Sequence, residues 1–218
     1  SIVAPMGIKR ALSAMMVLWE GLPYRLVVLE KPAGCFSINS DILREIEIST
    51  LDLDHSTECL GYSLYFKRNR EFDMDKALEN QVPKRLWRHL QAGQTFYVDD
   101  VSYTPDMVLG KPRPGIKFSY ITDTRPIDAI IPFIESSRLF VCEAMYGDDL
   151  DIGKAVKNKH MTFREAANLA YKGQVDQLLL THFSPSLDSP SDYIENASSV
   201  FKNTSLAYDG INISIGYP

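Results

Sequence analysis

The chain has 218 residues, 45% of them hydrophobic and 23% charged, with a formal net charge of -5. That balance excludes a disordered polar chain and a globally basic nucleic-acid binder, and the length suits one globular domain with a real core. The longest apolar runs, such as residues 129–134, are too short to cross a bilayer, and residues 1–20 lack a secretory pattern, so a cytoplasmic protein without membrane contact is expected.

Residues 5–18 read as a helix with a proline in its first turn, and 26–30 as a short strand. Residues 46–53 alternate and 58–66 are rich in β-formers, a pattern that predicts a hairpin with His55 at its connection. From 67 to 114 the chain turns polar and basic. Asp73 is placed to cap a short helix and Pro83 to start another that Gly93 ends, which together suggest an arm-like insertion. Beyond 116 the pattern alternates strand and helix. Strands are expected at 117–122, 138–143, 177–182 and 211–215, and helices at 126–135 and 162–172. Thr162 and Glu165 have capping-box spacing, and Ser189-Pro190 opens a further helix. Strand–helix alternation of this kind means an α/β fold.

The three cysteines, Cys35, Cys59 and Cys142, form no Cys-x-x-Cys pair, so no thiolate metal site is suggested. The histidines carry more information. His55 sits at the hairpin connection, and Asp123 and His182 directly follow predicted strands. Strand ends line one sheet edge, where α/β proteins bind ligands, and imidazole with carboxylate suits zinc.

Several short segments, in order, resemble the RNase Z branch of the metallo-β-lactamase superfamily. They are Asp54-His55 followed by Gly61-Tyr62; Thr122-Asp123-Thr124-Arg125; Cys142-Glu143-Ala144; His160-Met161-Thr162; and Leu180-Thr181-His182-Phe183-Ser184. The resemblance implies an αββα sandwich and a zinc-dependent endoribonuclease that processes the 3′ ends of tRNA precursors, the alternatives being another metal-dependent hydrolase of that fold acting on small phosphodiesters, or a non-catalytic paralogue. Carried over, it makes His55, Asp123 and His182 ligands of a two-zinc site. His160 becomes the proton donor and Glu143 the carboxylate that orients it. Lys67, Arg68, Arg70, Lys84, Arg85 and Arg88 fall in the segment that resembles the family's tRNA-gripping arm, and a homodimer is the family's usual state.

The departures also shape the expectation. The family's His-x-His-x-Asp-His signature has no counterpart here; it would precede residue 1. The chain is therefore expected to carry the fold without its N-terminal part, to hold half the metal ligands, and to be impaired as a hydrolase alone. Ser184 to Leu187 stands where the family has an Arg-Tyr pair, and no Gly-Pro follows Pro83. A sheet lacking its covering layer would expose an apolar face and favour self-association.

Overall fold

The computed structural model describes residues 1–17, 21–30, 35–38 and 46–217. These residues form two compact units, one made of Ser1–Phe66 with Ile116–Tyr217 and the other of Lys67–Gly115.

The larger unit opens with β1 (Ile2–Ala4), α1 (Ile8–Met16) and β2 (Val28–Glu30), and β1 pairs with β2 in parallel. Residue 18, the expected end of the first helix, lies outside the described residues. Next come β3 (Cys35–Ile38), β4 (Ile46–Asp52) and β5 (Leu60–Arg68), an antiparallel run in which β4 and β5 make the expected hairpin, with Asp52 opposite Leu60.

The smaller unit has its own core. Helix α2 (Met74–Glu79) starts at Asp73, whose carboxylate accepts the Lys76 N–H at 3.0 Å. Helix α3 (Lys84–Gln91) begins after Pro83 and turns out at Gly93, φ 90°. A hairpin of β6 (Phe96–Val98) and β7 (Val101–Tyr103) follows. Ala77, Val82, Leu86, Leu90 and Val108 are buried together, with Phe72 and Trp87 packed at their edge. Their burial supplies most of what holds so short a segment in shape.

The chain returns through β8 (Arg113–Ile121), α4 (Ile130–Ile134), β9 (Leu139–Glu143), α5 (Ile152–Asn158), α6 (Phe163–Lys172), β10 (Leu178–Thr181), α7 (Glu195–Ser198) and β11 (Thr204–Leu206). Strands β8 to β11 are mutually parallel, and the main sheet runs β11-β10-β9-β8-β5-β4-β3. Helix α6 has the expected capping box: Thr162 Oγ1 accepts the Glu165 N–H at 3.2 Å and Glu165 returns the bond to the Thr162 N–H at 2.9 Å. Helix α4 is shorter than the expected 126–135, because Pro132 lacks an N–H and fits only in the first turn, where no partner is needed.

Along β9 and β10 successive residues face opposite ways. Phe140, Cys142, Leu178 and Leu180 are buried against the α4 and α6 side, with Ile134, Phe163 and Ala166. Leu139, Val141 and Leu179 face the other way. That second face was expected to stand bare, yet all three are at most 8% exposed. They are covered by Ala207, Ile211, Ile213 and Ile215. The alternation at 211–215 therefore does not make the expected strand; it lays three isoleucines flat on a sheet face without ladder hydrogen bonds, and the last strand is β11 instead.

Packing behind the sheet is tight at Gly173, where an added β-carbon would lie 2.6 Å from Ile134 Cγ1 and 3.2 Å from the Leu169 carbonyl. Its φ of -77° is ordinary, so the constraint is space alone. Gly173→Ala is expected to cost about 1–3 kcal/mol through overpacking. A thermal melt checks this, and an unchanged midpoint would show that Ile134 can give way freely.

Candidate metal centre

Parallel pairing puts the C-terminal ends of β8, β9 and β10 side by side, with Ile121 and Leu180 both opposite Cys142. Glu143 is the last residue of β9, Asp123 lies two residues past β8, and His182 directly follows β10. Asp123 (φ 48°) and His182 (φ 60°) both adopt left-handed backbone, which turns each chain sharply at the strand end. Aspartate and histidine tolerate this region better than most residues, and strain of this kind gathers at functional sites. His182 Nε2 stands 3.4 Å from Asp123 Oδ1.

His55 reaches the same edge from the β4–β5 loop. That loop is fastened to the end of β8: the Asp54 N–H donates to Thr124 Oγ1 at 3.0 Å, and the Arg125 N–H donates to the Asp54 carbonyl at 3.0 Å. The His55 Nδ1–H donates to the Lys159 carbonyl at 3.1 Å, so Nε2 is left as a bare nitrogen. The rings of His55 and His182 lie 5.0 and 5.4 Å from that of His160.

His160 is buried, and its Nδ1 donates to Glu143 Oε1 at 2.9 Å. Glu143 is 0% exposed and fully engaged: Oε1 also accepts the Thr124 N–H at 2.7 Å, and Oε2 accepts the N–H groups of Met145 and Met161, both at 3.3 Å. A carboxylate so occupied orients an imidazole and has no lone pair left over for a metal.

The donor atoms of His55, Asp123 and His160 lie within 4.8 Å of one another, as do those of Glu143, His160 and His182. Imidazole and carboxylate donors gathered this way suit a divalent metal of the zinc type. Thiolate takes no part. Burial first, and the charge of Asp123 second, push the Cys59 thiol above its usual range, and full burial pushes Cys142 further still. Cys59 donates instead to the Thr122 carbonyl at 3.4 Å, while Cys35 is exposed.

Around the cluster stand residues that sequence reading passed over. Arg125 donates to the His160 carbonyl and forks onto both carboxylate oxygens of Glu165. One guanidinium thus ties the turn after β8 to the start of α6 and to the His160 turn. Lys159 pairs with Asp54 at 2.8 Å. Only the run Asp123-Thr-Arg125 hinted at this in the sequence, as a motif whose arginine had no assigned task.

The basic residues of the arm separate into two groups. Lys84, Arg85 and Arg88 are exposed on α3. Arg70 is spent inside the arm: it donates to the Leu109 carbonyl at 2.9 Å and to the Gly110 carbonyl, and pairs with Asp106, whose carboxyl it holds below the usual range. Three of its five N–H groups are engaged in this way, which ties the guanidinium to the arm's own loop. Lys67 and Arg68 are half-buried at the end of β5.

A mixed sheet with a histidine- and acid-rich edge of this design defines a metal-dependent hydrolase of the metallo-β-lactamase fold. Solved structures agree on the fold. The short form of human tRNase Z superposes with a TM-score of 0.60 at 19% identity, over 99% of this chain and 67% of that one. A metallo-β-lactamase-fold protein from Bacillus subtilis gives 0.60 at 15% identity, over 96% and 63%. No family model matches the chain. Among curated proteins, ribonuclease Z of Clostridioides difficile (strain 630) is 58% identical over 217 residues, covering 100% of this chain and 71% of that protein. Ribonuclease Z of Clostridium beijerinckii is 46% identical over 219 residues, again 71% of its length. The chain belongs to the ribonuclease Z family, and its class is that of a metal-dependent endoribonuclease.

Proposed function

We propose that the sheet-edge cluster is the zinc site of an endonuclease that cuts tRNA precursors after the discriminator base. The observation that carries this reading is the clustering of His55 and Asp123 with His160, and of His182 with Asp123 and the buried Glu143–His160 pair. His55, Asp123 and His182 would hold the metal; the family's two zincs need further donors, since each takes about four ligands. Zinc supplies Lewis acidity, drawing charge from the scissile phosphodiester and acidifying the attacking water.

The protein's own groups do the rest. Glu143 fixes the His160 ring, so that Nε2 faces the edge and can give a proton to the leaving oxygen. Exposed Lys84, Arg85 and Arg88 give the arm a cationic face for the phosphates of a folded RNA, despite the net charge of -5. The enzyme works in the cytoplasm as a homodimer. Among the described residues no helix is long and apolar enough to cross a membrane.

The test is a tRNA precursor bearing a 3′ trailer, incubated with the zinc-loaded protein whose metal content has been measured. Cleavage at the discriminator base is expected, slowed to the extent that His55, Asp123 and His182 supply only part of the ligand set. Turnover of small phosphodiesters with the precursor left intact would overturn the substrate, and a protein that takes up no zinc would overturn the site. In the same assay, Arg85→Ala with Arg88→Ala is expected to weaken precursor binding and lower the salt-dependence slope by about 2, roughly 1 per lost phosphate contact. An unaltered slope would take α3 out of RNA binding.

A further inference from the structure

One residue holds the His55 loop from both ends. Lys159 closes α5 in left-handed backbone, φ 58° and ψ 47°, with its N–H turned back to the carbonyls of Ala155 and Val156. Glycine or asparagine usually fills this position after a helix, because a β-carbon is strained there. The turn aims the Lys159 carbonyl at His55 Nδ1, 3.1 Å away. The side chain comes round the other way, and its ammonium lies 2.8 Å from Asp54 Oδ1 and 3.4 Å from the His55 carbonyl. The next residue is His160, whose N–H bonds to the Ala155 carbonyl at 2.9 Å. The turn that presents the buried imidazole of His160 is thus the turn that grips His55.

We infer that Lys159 is a positioning residue for metal capture, a clamp that fixes the tautomer and aim of His55. A carbonyl can only accept, so the bond puts the proton on Nδ1 and leaves Nε2 bare. The ammonium keeps residues 54 and 55 against that carbonyl. The ion pair does little for stability as such, since its side chains are 43% and 45% exposed. Its effect lies in placing a ligand, as outer-shell partners of metal-binding histidines do. The inference rests on the reading of His55 as a ligand.

The experiment uses the full chain with nitrogen-15 in its histidines, free of metal, at mildly alkaline pH. Long-range proton–nitrogen spectra report the tautomer of each ring. His55 is expected to carry its proton on Nδ1 in the parent and in Lys159→Arg, which keeps the cation. In Lys159→Met the Nε2–H form should become prominent, and zinc affinity, read by chelator competition, should fall about tenfold or more. Lys159→Gly suits the left-handed backbone, so it should melt no lower than the parent and still lose zinc affinity. That separation distinguishes a positioning role from a structural one. An Nε2–H tautomer in the parent, or parent-like zinc affinity in both the Met and Gly variants, overturns the clamp. If zinc leaves the His55 resonances of the parent unmoved, the ligand assignment itself fails, and the inference falls with it. If zinc shifts them while the variants bind equally well, only the clamp fails.

Discussion

Glu143→Gln will melt well below the parent and will cleave phosphodiesters at least about a hundredfold more slowly. The carboxylate is wholly buried and accepts from four donors, the N–H groups of Thr124, Met145 and Met161 and Nδ1 of His160. An amide keeps the shape but exchanges one acceptor oxygen for an NH2 group. If the NH2 takes the Oε1 side, it faces the Thr124 N–H and the imidazole N–H. If it takes the Oε2 side, it faces the two methionine amides. Either flip strands two donors in a dry site, at a cost of about 3 kcal/mol. For a chain of this length that is roughly a 10 °C loss in melting midpoint. The rate falls separately on the proposed role of His160 as proton donor, because the ring loses the charged partner that orients it, and general acids contribute about 10²–10⁴-fold. A melt close to the parent's would mean that water enters the site and serves the stranded donors, and the account of Glu143 as a buried hub would be wrong.

How far the sequence showed this site depends on what kind of contact is involved. Asp123 and His182 were legible because each stands just past an apolar strand, and parallel strands bring their C-terminal ends to one edge. His55 was legible as a hairpin connection, and the β4–β5 pairing holds it there. The Thr162–Glu165 capping box was legible because its whole geometry is local. Lys159 was not: its bonds to His55 and Asp54 span 104 and 105 positions, and no local pattern encodes them. The Arg125–Glu165 fork, 40 positions apart, was hidden for the same reason. The fold shows the same division. The short strands β1, β3, β6 and β7 run three or four residues, too few for alternation to register, and α5 lacks a strong apolar stripe. Residues 211–215 mislead in the opposite direction. Alternation reports that every second side chain meets an apolar surface, and Ile211, Ile213 and Ile215 meet one by lying on the sheet face instead of joining its ladder.

Asp123→Asn separates the metal site from the scaffold. Asparagine tolerates left-handed backbone as well as aspartate does, so the turn at φ 48° should persist. Asp123 is only half-buried, and among the described residues its ion-pair contact is to His182, 3.4 Å long. Removing its charge should therefore move the melting midpoint little, within about 1 kcal/mol. Metal binding should respond quite differently. The carboxylate is the one acidic side chain of the proposed ligand set, and an amide oxygen is a poor substitute toward a divalent cation. Zinc affinity should drop by more than the roughly 10–100-fold that loss of an outer-shell partner costs, and precursor cleavage should fall with it. Elemental analysis of the purified variant beside the parent, with melts of both, gives the answer. Loss of metal at constant stability makes Asp123 a ligand held in place by a fold that does not need it. Metal retained at parental stoichiometry would mean that the imidazoles, with donors besides Asp123, hold the ion, and that the strained turn after β8 serves some other end.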